Sequence, residues 1–152
     1  MKPFTFNLEA VLILRQREEQ QAARNWAEAL RNQNLIEGAL RQAEFELRQS
    51  QETLSRQRNG RFLPGEHQIH LAAHANQRAI CEALAKRLAE AMEYTKKQHA
   101  ILLEARMKVE VLARLKEKRR KDYEAVVMAQ EEAAIDDMVI ARYAAKSREF
   151  GR

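Results

Sequence analysis

Apolar residues recur along the first third of the chain at alternating steps of four and three. From Leu8 the steps meet Leu12, Arg15, Glu19, Ala22, Trp26, Ala29, Gln33, Ile36, Leu40, Ala43, Leu47, Ser50 and Leu54. Only Arg15, Glu19, Gln33 and Ser50 are polar. A repeat of 3.5 residues keeps one stripe facing a partner helix and predicts a left-handed supercoil. After Asn59-Gly60 and Pro64-Gly65 the stepping resumes through Gln77, Cys81, Leu84, Leu88, Ala91, Thr95, Gln98, Leu102, Ala105, Val109 and Leu112. The pattern predicts an all-α protein: a long antiparallel two-helix coiled-coil hairpin with a C-terminal helical overhang. Helix one spans about 7–58, a turn covers 59–65, and helix two spans about 66–148, within a single domain of residues 1–152.

The boundaries follow from local chemistry. Pro3 disfavours helix before it, and Asn7 is a candidate N-cap. Gly38 lies off the stripe and weakens helix one by about 1 kcal/mol relative to Ala. Gly60 is suited to end helix one in the left-handed conformation, and Pro64 marks the break before helix two. The stripe's polar members, Thr95 and Gln98 among them, are expected to fix register at a cost in stability.

With the turn centred near Phe62, Leu12 faces Leu112, Ala22 faces Leu102, Ile36 faces Leu88 and Ala43 faces Cys81. Trp26 falls opposite Gln98, whose side-chain oxygen suits an indole N–H. A slip of one heptad preserves these matches, so orientation is better specified than register. Leu8 pairs near Lys116, which leaves roughly 30 residues, ~45 Å of helix, without an intramolecular partner. That segment carries Tyr123, Val126, Ala133, Ile140 and Ala144 on one stripe, with Met128, Ile135, Val139 and Tyr143 beside it. A lone helix of this kind is marginal in water: unburied it is expected to fray, and buried it needs another protein, which is the favoured reading.

Composition agrees with long helices: aromatics are 6%, charged residues 32%, with four Gly and two Pro. The distribution of charge adds more. Between Arg106 and Lys121 stand eight bases (Arg106, Lys108, Arg114, Lys116, Lys118, Arg119, Arg120, Lys121) against Glu110 and Glu117. The next stretch, Asp122 to Asp137, holds six acids and no base. Such a basic block suits nucleic acid, a membrane surface or an acidic protein, or is a solvated helix face. No uncharged run approaches the ~20 residues that cross a bilayer, and no signal-peptide core is expected.

Candidate chemistry is sparse. Cys81 falls on the stripe and reads as a small buried hydrophobe. His67, His70 and His74 share one helical face, but the residues expected opposite them, Gln57, Leu54 and Ser50, complete no metal site. Glu131-Glu132 and Asp136-Asp137 lack an opposing helix and read as a solvated or partner-facing acidic surface. No phosphate loop or nucleophile–base arrangement is present, so neither an enzyme nor a cofactor is expected. Off the stripe, Leu71, Phe45 and Ile80 are apolar, and the last two fall at matched heights on the distal half of the hairpin.

The opening segment Phe4-x-Phe6-x-Leu8-Glu9-x-Val11-Leu12-x-x-Arg15 resembles the N-terminus of the FliJ family of flagellar proteins. The stretch Val111-Leu112-x-x-Leu115-Lys116-x-Lys118-Arg119-x-x-x-Tyr123, followed by Glu131-Glu132 and Asp136-Asp137, resembles that family's C-terminal half. The resemblance implies a component of the flagellar type III export apparatus, built like the central stalk of a rotary ATPase. Its implied partners are a hexameric export ATPase, the cytoplasmic domain of the export gate, and export chaperones. It places the protein in the cytoplasm, peripherally at the inner-membrane face of that apparatus. Carried to this chain, Phe4, Phe6, Arg114, Lys116, Lys118 and Arg119 form the ATPase-ring end, while Phe45, Leu71 and Ile80 form the gate contact. A stalk protein of an injectisome is the neighbouring reading. A basic coiled coil that binds nucleic acid is the alternative from another class. It is disfavoured because the bases are interleaved and followed at once by acids.

Overall fold

The computed structural model describes residues 3–61 and 63–149. Two helices, α1 (Glu9–Arg58) and α2 (Pro64–Glu149), pack against each other, and no strand occurs among the described residues. The chain divides into two compact units, one made of Met1–Gln16 with Arg106–Arg152, the other of Arg17–Ala105.

In the unit Arg17–Ala105, the core is the heptad stripe. Ala22, Ala29, Ala43 and Leu54 of α1 are buried, as are Cys81, Ala91, Thr95 and Leu102 of α2. Each is a position named by the 3.5-residue repeat, and Leu102 is only 1% exposed. The alanines bury little area themselves but permit close backbone approach. The helices are also joined by Gln77, whose amide donates to the Ala43 carbonyl (3.1 Å) and to Glu46 (3.0 Å). Thr95 was expected to specify register. Its hydroxyl instead donates to the Ala91 carbonyl one turn back, at 2.9 Å, so the group is satisfied within α2. Trp26 packs its ring against His99, the neighbour of the expected Gln98, with centroids 5.3 Å apart and planes at 41°.

The connection differs in detail from the reading above. Gly60 does not adopt a left-handed conformation, since no glycine among the described residues has positive φ. Its N–H donates to the Gln57 carbonyl at 3.3 Å, a three-residue closure that tightens the end of α1. Pro64 opens α2 rather than standing outside it. A proline lacks the N–H that a first helical residue leaves unused, and its fixed φ suits that position. Phe62, on which the turn was centred, lies outside the described residues.

In the other unit, Phe6 and Leu12 are buried. Helix α1 begins at Glu9, one residue later than the Asn7 cap predicts: the Leu8 carbonyl accepts the first helical bond, from Leu12 at 2.9 Å, and the Glu9 N–H donates back to the Phe6 carbonyl at 3.0 Å. This turn holds Phe6 inward and places an acidic side chain in the first turn of α1, where the helix dipole favours it. In α2, Val109, Leu112, Lys116 and Tyr123 are half-buried, whereas every described side chain from Met128 to Lys146 is exposed.

Candidate functional site

The unit containing the N-terminal segment gathers most of the residues singled out for partner binding. The short segment before α1 crosses α2 and is pinned by two aromatic side chains. The Phe4 ring lies 5.7 Å from that of Tyr123, tilted by 48°. The Arg119 guanidinium carbon sits 5.8 Å from the Phe6 ring centroid, within range of a cation–π attraction. Three residues earlier on α2, Lys116 Nζ approaches the Glu9 carboxylate at 2.6 and 2.9 Å. The spacing Phe4, Phe6, Glu9 on one strand of chain thus meets Tyr123, Arg119, Lys116 on α2.

The roles within this set are unequal. Phe6 is 8% exposed and Phe4 half-buried, so these rings anchor the segment. Lys118 and Arg119 are exposed and form the accessible cationic surface. Arg114 is turned along its own helix toward Glu110, and Lys121 toward Glu117 at 3.8 Å. Arg120 donates to Glu124 at 2.8 Å. That hydrogen bond, reinforced by the charges of Glu124 and Glu117, holds the Arg120 guanidinium above its ordinary pKa. With Arg114, Arg120 and Lys121 turned to acids on their own helix, Lys118 and Arg119 are left as the exposed bases beside the aromatic packing.

The residues expected at the second contact, Phe45, Leu71 and Ile80, are all exposed. Leu71 lines an open groove of about 670 Å³ with Leu54, Ser55, Arg48 and His74. Phe45 and Ile80 are exposed, at 51% and 40%, and neither lines that groove. A second groove, about 490 Å³, runs beside Trp26, Leu30, Met92 and His99. Sequence reasoning passed over it, although the large ring of Trp26 on a stripe rich in alanine was the available signal. Among the described residues no three His, Cys, Asp or Glu side chains are arranged to hold a metal ion. No described helix is long and apolar enough to cross a membrane.

No family model, curated protein or solved structure matches this chain.

Proposed function

We propose that the chain is a non-catalytic coupling protein of the flagellar type III export machinery, similar to FliJ, that links a hexameric export ATPase to the export gate and assists chaperone escort. In this reading α1 and α2 form an antiparallel hairpin, and α2 continues past the start of α1 as an overhang. The order of contacts supports the antiparallel sense. In the unit Arg17–Ala105, Ala43 meets Gln77 and Trp26 meets His99; in the other unit, Glu9 meets Lys116.

The observation that carries the functional reading is the pair of exposed bases Lys118 and Arg119, of which Arg119 lies over the buried Phe6. In this reading charge at the base of the rod orients it on the ring and contributes to encounter rate. The aromatic anchor keeps the bases in place, so the ring meets a preformed surface. Phe45, Leu71 and Ile80 are assigned to the gate as exposed apolar contacts.

The test is affinity capture from an extract of flagellated cells, with partners identified by mass spectrometry. The wild-type chain is expected to retain the export ATPase and the gate. Lys118→Glu with Arg119→Glu should lose the ATPase and keep the gate, and Phe45→Ala with Ile80→Ala should do the reverse. Recovery of nucleic acid alone, with affinity falling steeply in salt, would replace this reading with the nucleic-acid one.

A further inference from the structure

The charge pattern of α2 has a symmetry that extends well beyond Lys118 and Arg119. Residues 106–121 carry eight bases and two acids, a net +6; residues 122–137 carry six acids and no base, a net −6. The two blocks are adjacent, equal in length and opposite in charge. Both lie in the same unit and on one continuous helix, Pro64–Glu149, so apart from the pair Arg120–Glu124 at their boundary neither block can fold back on the other.

A second copy can meet both. If two α2 helices lie antiparallel about the boundary between Lys121 and Asp122, each basic block faces the acidic block of the other copy. Arg106 then comes within a turn of Asp136 and Asp137, Arg114 of Glu132, and Lys118 of Asp122. A parallel pairing in register would instead set +6 against +6. This is the self-complementarity that a two-fold interface requires.

The helix also presents an uncovered face for such a pairing. At 3.6 residues per turn, Val109, Leu112 and Lys116 point toward α1, and Met107, Val111, Lys118 and Ala125 lie on the opposite side. Met107 and Val111 are each 66% exposed, and further along α2 Ile135 is 55% and Val139 44% exposed. The antiparallel register brings Met107 beside Ile135 and Val139 of the second copy. The charge boundary and the apolar positions therefore select the same partner and the same orientation.

We infer that this chain forms an antiparallel homodimer through residues 106–137 of α2, held by exchange of the basic block of each copy for the acidic block of the other. The proposal does not depend on the assignment to an export apparatus.

The experiment is light scattering after size exclusion, on the full chain and two charge variants. At low ionic strength the wild type is expected at twice its 17.7 kDa chain mass, falling to one chain mass above about 0.5 M salt, where screening shortens to a few ångströms. Glu131→Lys, Glu132→Lys and Asp136→Lys together should give monomer, as should Arg114→Glu, Lys118→Glu and Lys121→Glu together. An equimolar mixture of the two variants should restore the dimer, since each then supplies the charge the other lacks. Circular dichroism checks that both variants remain helical. If either variant fails to fold, carbodiimide coupling of a mixture of isotope-labelled and unlabelled wild type decides, with bonds between Lys121 of one copy and Asp122 of the other expected. A wild-type monomer at every concentration and salt, a dimer that either helical variant leaves unchanged, a mixture that stays monomeric, or coupling confined to single copies would each overturn the proposal. The first outcome would leave the face to a different protein.

Discussion

Lys116 reaches back 107 residues along the chain to place its ammonium 2.6 Å from the carboxylate of Glu9, in the first turn of α1. Both side chains remain more than a third exposed, so solvent screens the pair and limits its contribution. A double-mutant cycle with Glu9→Ala and Lys116→Ala, read by urea denaturation, is expected to give a coupling of about 0.2–1 kcal/mol. The coupling should vanish in about 1 M salt. A coupling of several kcal/mol that survives salt would mean the pair is shielded from water.

Leu102 is the most completely buried large side chain, whereas its neighbour Leu103 is 45% exposed. Leu102→Ala removes apolar contacts and opens a cavity between helices already spaced by small residues, so it should cost about 2–5 kcal/mol. Leu103→Ala should cost under about 1 kcal/mol. The comparison, by thermal or urea unfolding followed at 222 nm, tests whether the 3.5-residue repeat defines the core. Equal costs would place the core elsewhere.

Gly38 lies in the interior of α1, and a Cβ added there meets nothing within 4 Å. Gly38→Ala should therefore stabilise the chain by about 0.5–1 kcal/mol, through helix propensity and the reduced freedom of the unfolded chain. A rise in urea midpoint without a change in slope is the expected signature. A fall would show that the bare backbone is needed for a contact made by a partner.

Thr95 tests the role of polar groups on the stripe. Its hydroxyl is satisfied by Ala91 within α2 and crosses to no other helix in that bond. Thr95→Val conserves shape and substitutes a methyl group at a buried site. Stability is expected to hold or to rise by up to about 1 kcal/mol, with the pairing of the helices unchanged. Loss of more than about 1 kcal/mol would reveal a cross-helix role for the hydroxyl.

How far these features can be read from the chain depends on what sets each one. The stripe was legible because a period of 3.5 is imposed by helix geometry at every step, and Leu12, Ala22, Ala43, Cys81 and Leu102 bury where that period puts them. The turn was less so. Pro64 is compatible both with a break and with a first helical residue, and only the backbone decides between them. Trp26 could be placed on the stripe, but a period does not decide between Gln98 and its neighbour His99, against whose ring it packs. At the candidate site, the grouping of Phe4 and Phe6 with Lys116 and Arg119 is what the family resemblance implies, and the register that sets Leu8 near Lys116 agrees with it. The separate engagements of Arg114 with Glu110 and Arg120 with Glu124 are local i,i+4 choices, which compete with any longer-range pairing of the same side chains.

The stretch of α2 beyond Tyr123 gives the last prediction, and its outcome separates order held by contact from order held by the helix alone. Every described side chain from Met128 to Lys146 is exposed, so little apolar burial opposes local unfolding there. By contrast, Arg87 is an exposed trypsin site on a turn fastened by half-buried Leu84 and Leu88 and by buried Ala91. Limited trypsin digestion in about 0.5 M salt should cut at Arg142 and Lys146 well before Arg87, because cleavage follows the population of locally opened chain. At low ionic strength the pairing of acidic and basic blocks should slow the Arg142 cut while leaving the Arg87 rate unchanged. Equal rates at all three sites, in both conditions, would show that residues 128–146 are held by packing that their exposure does not reveal.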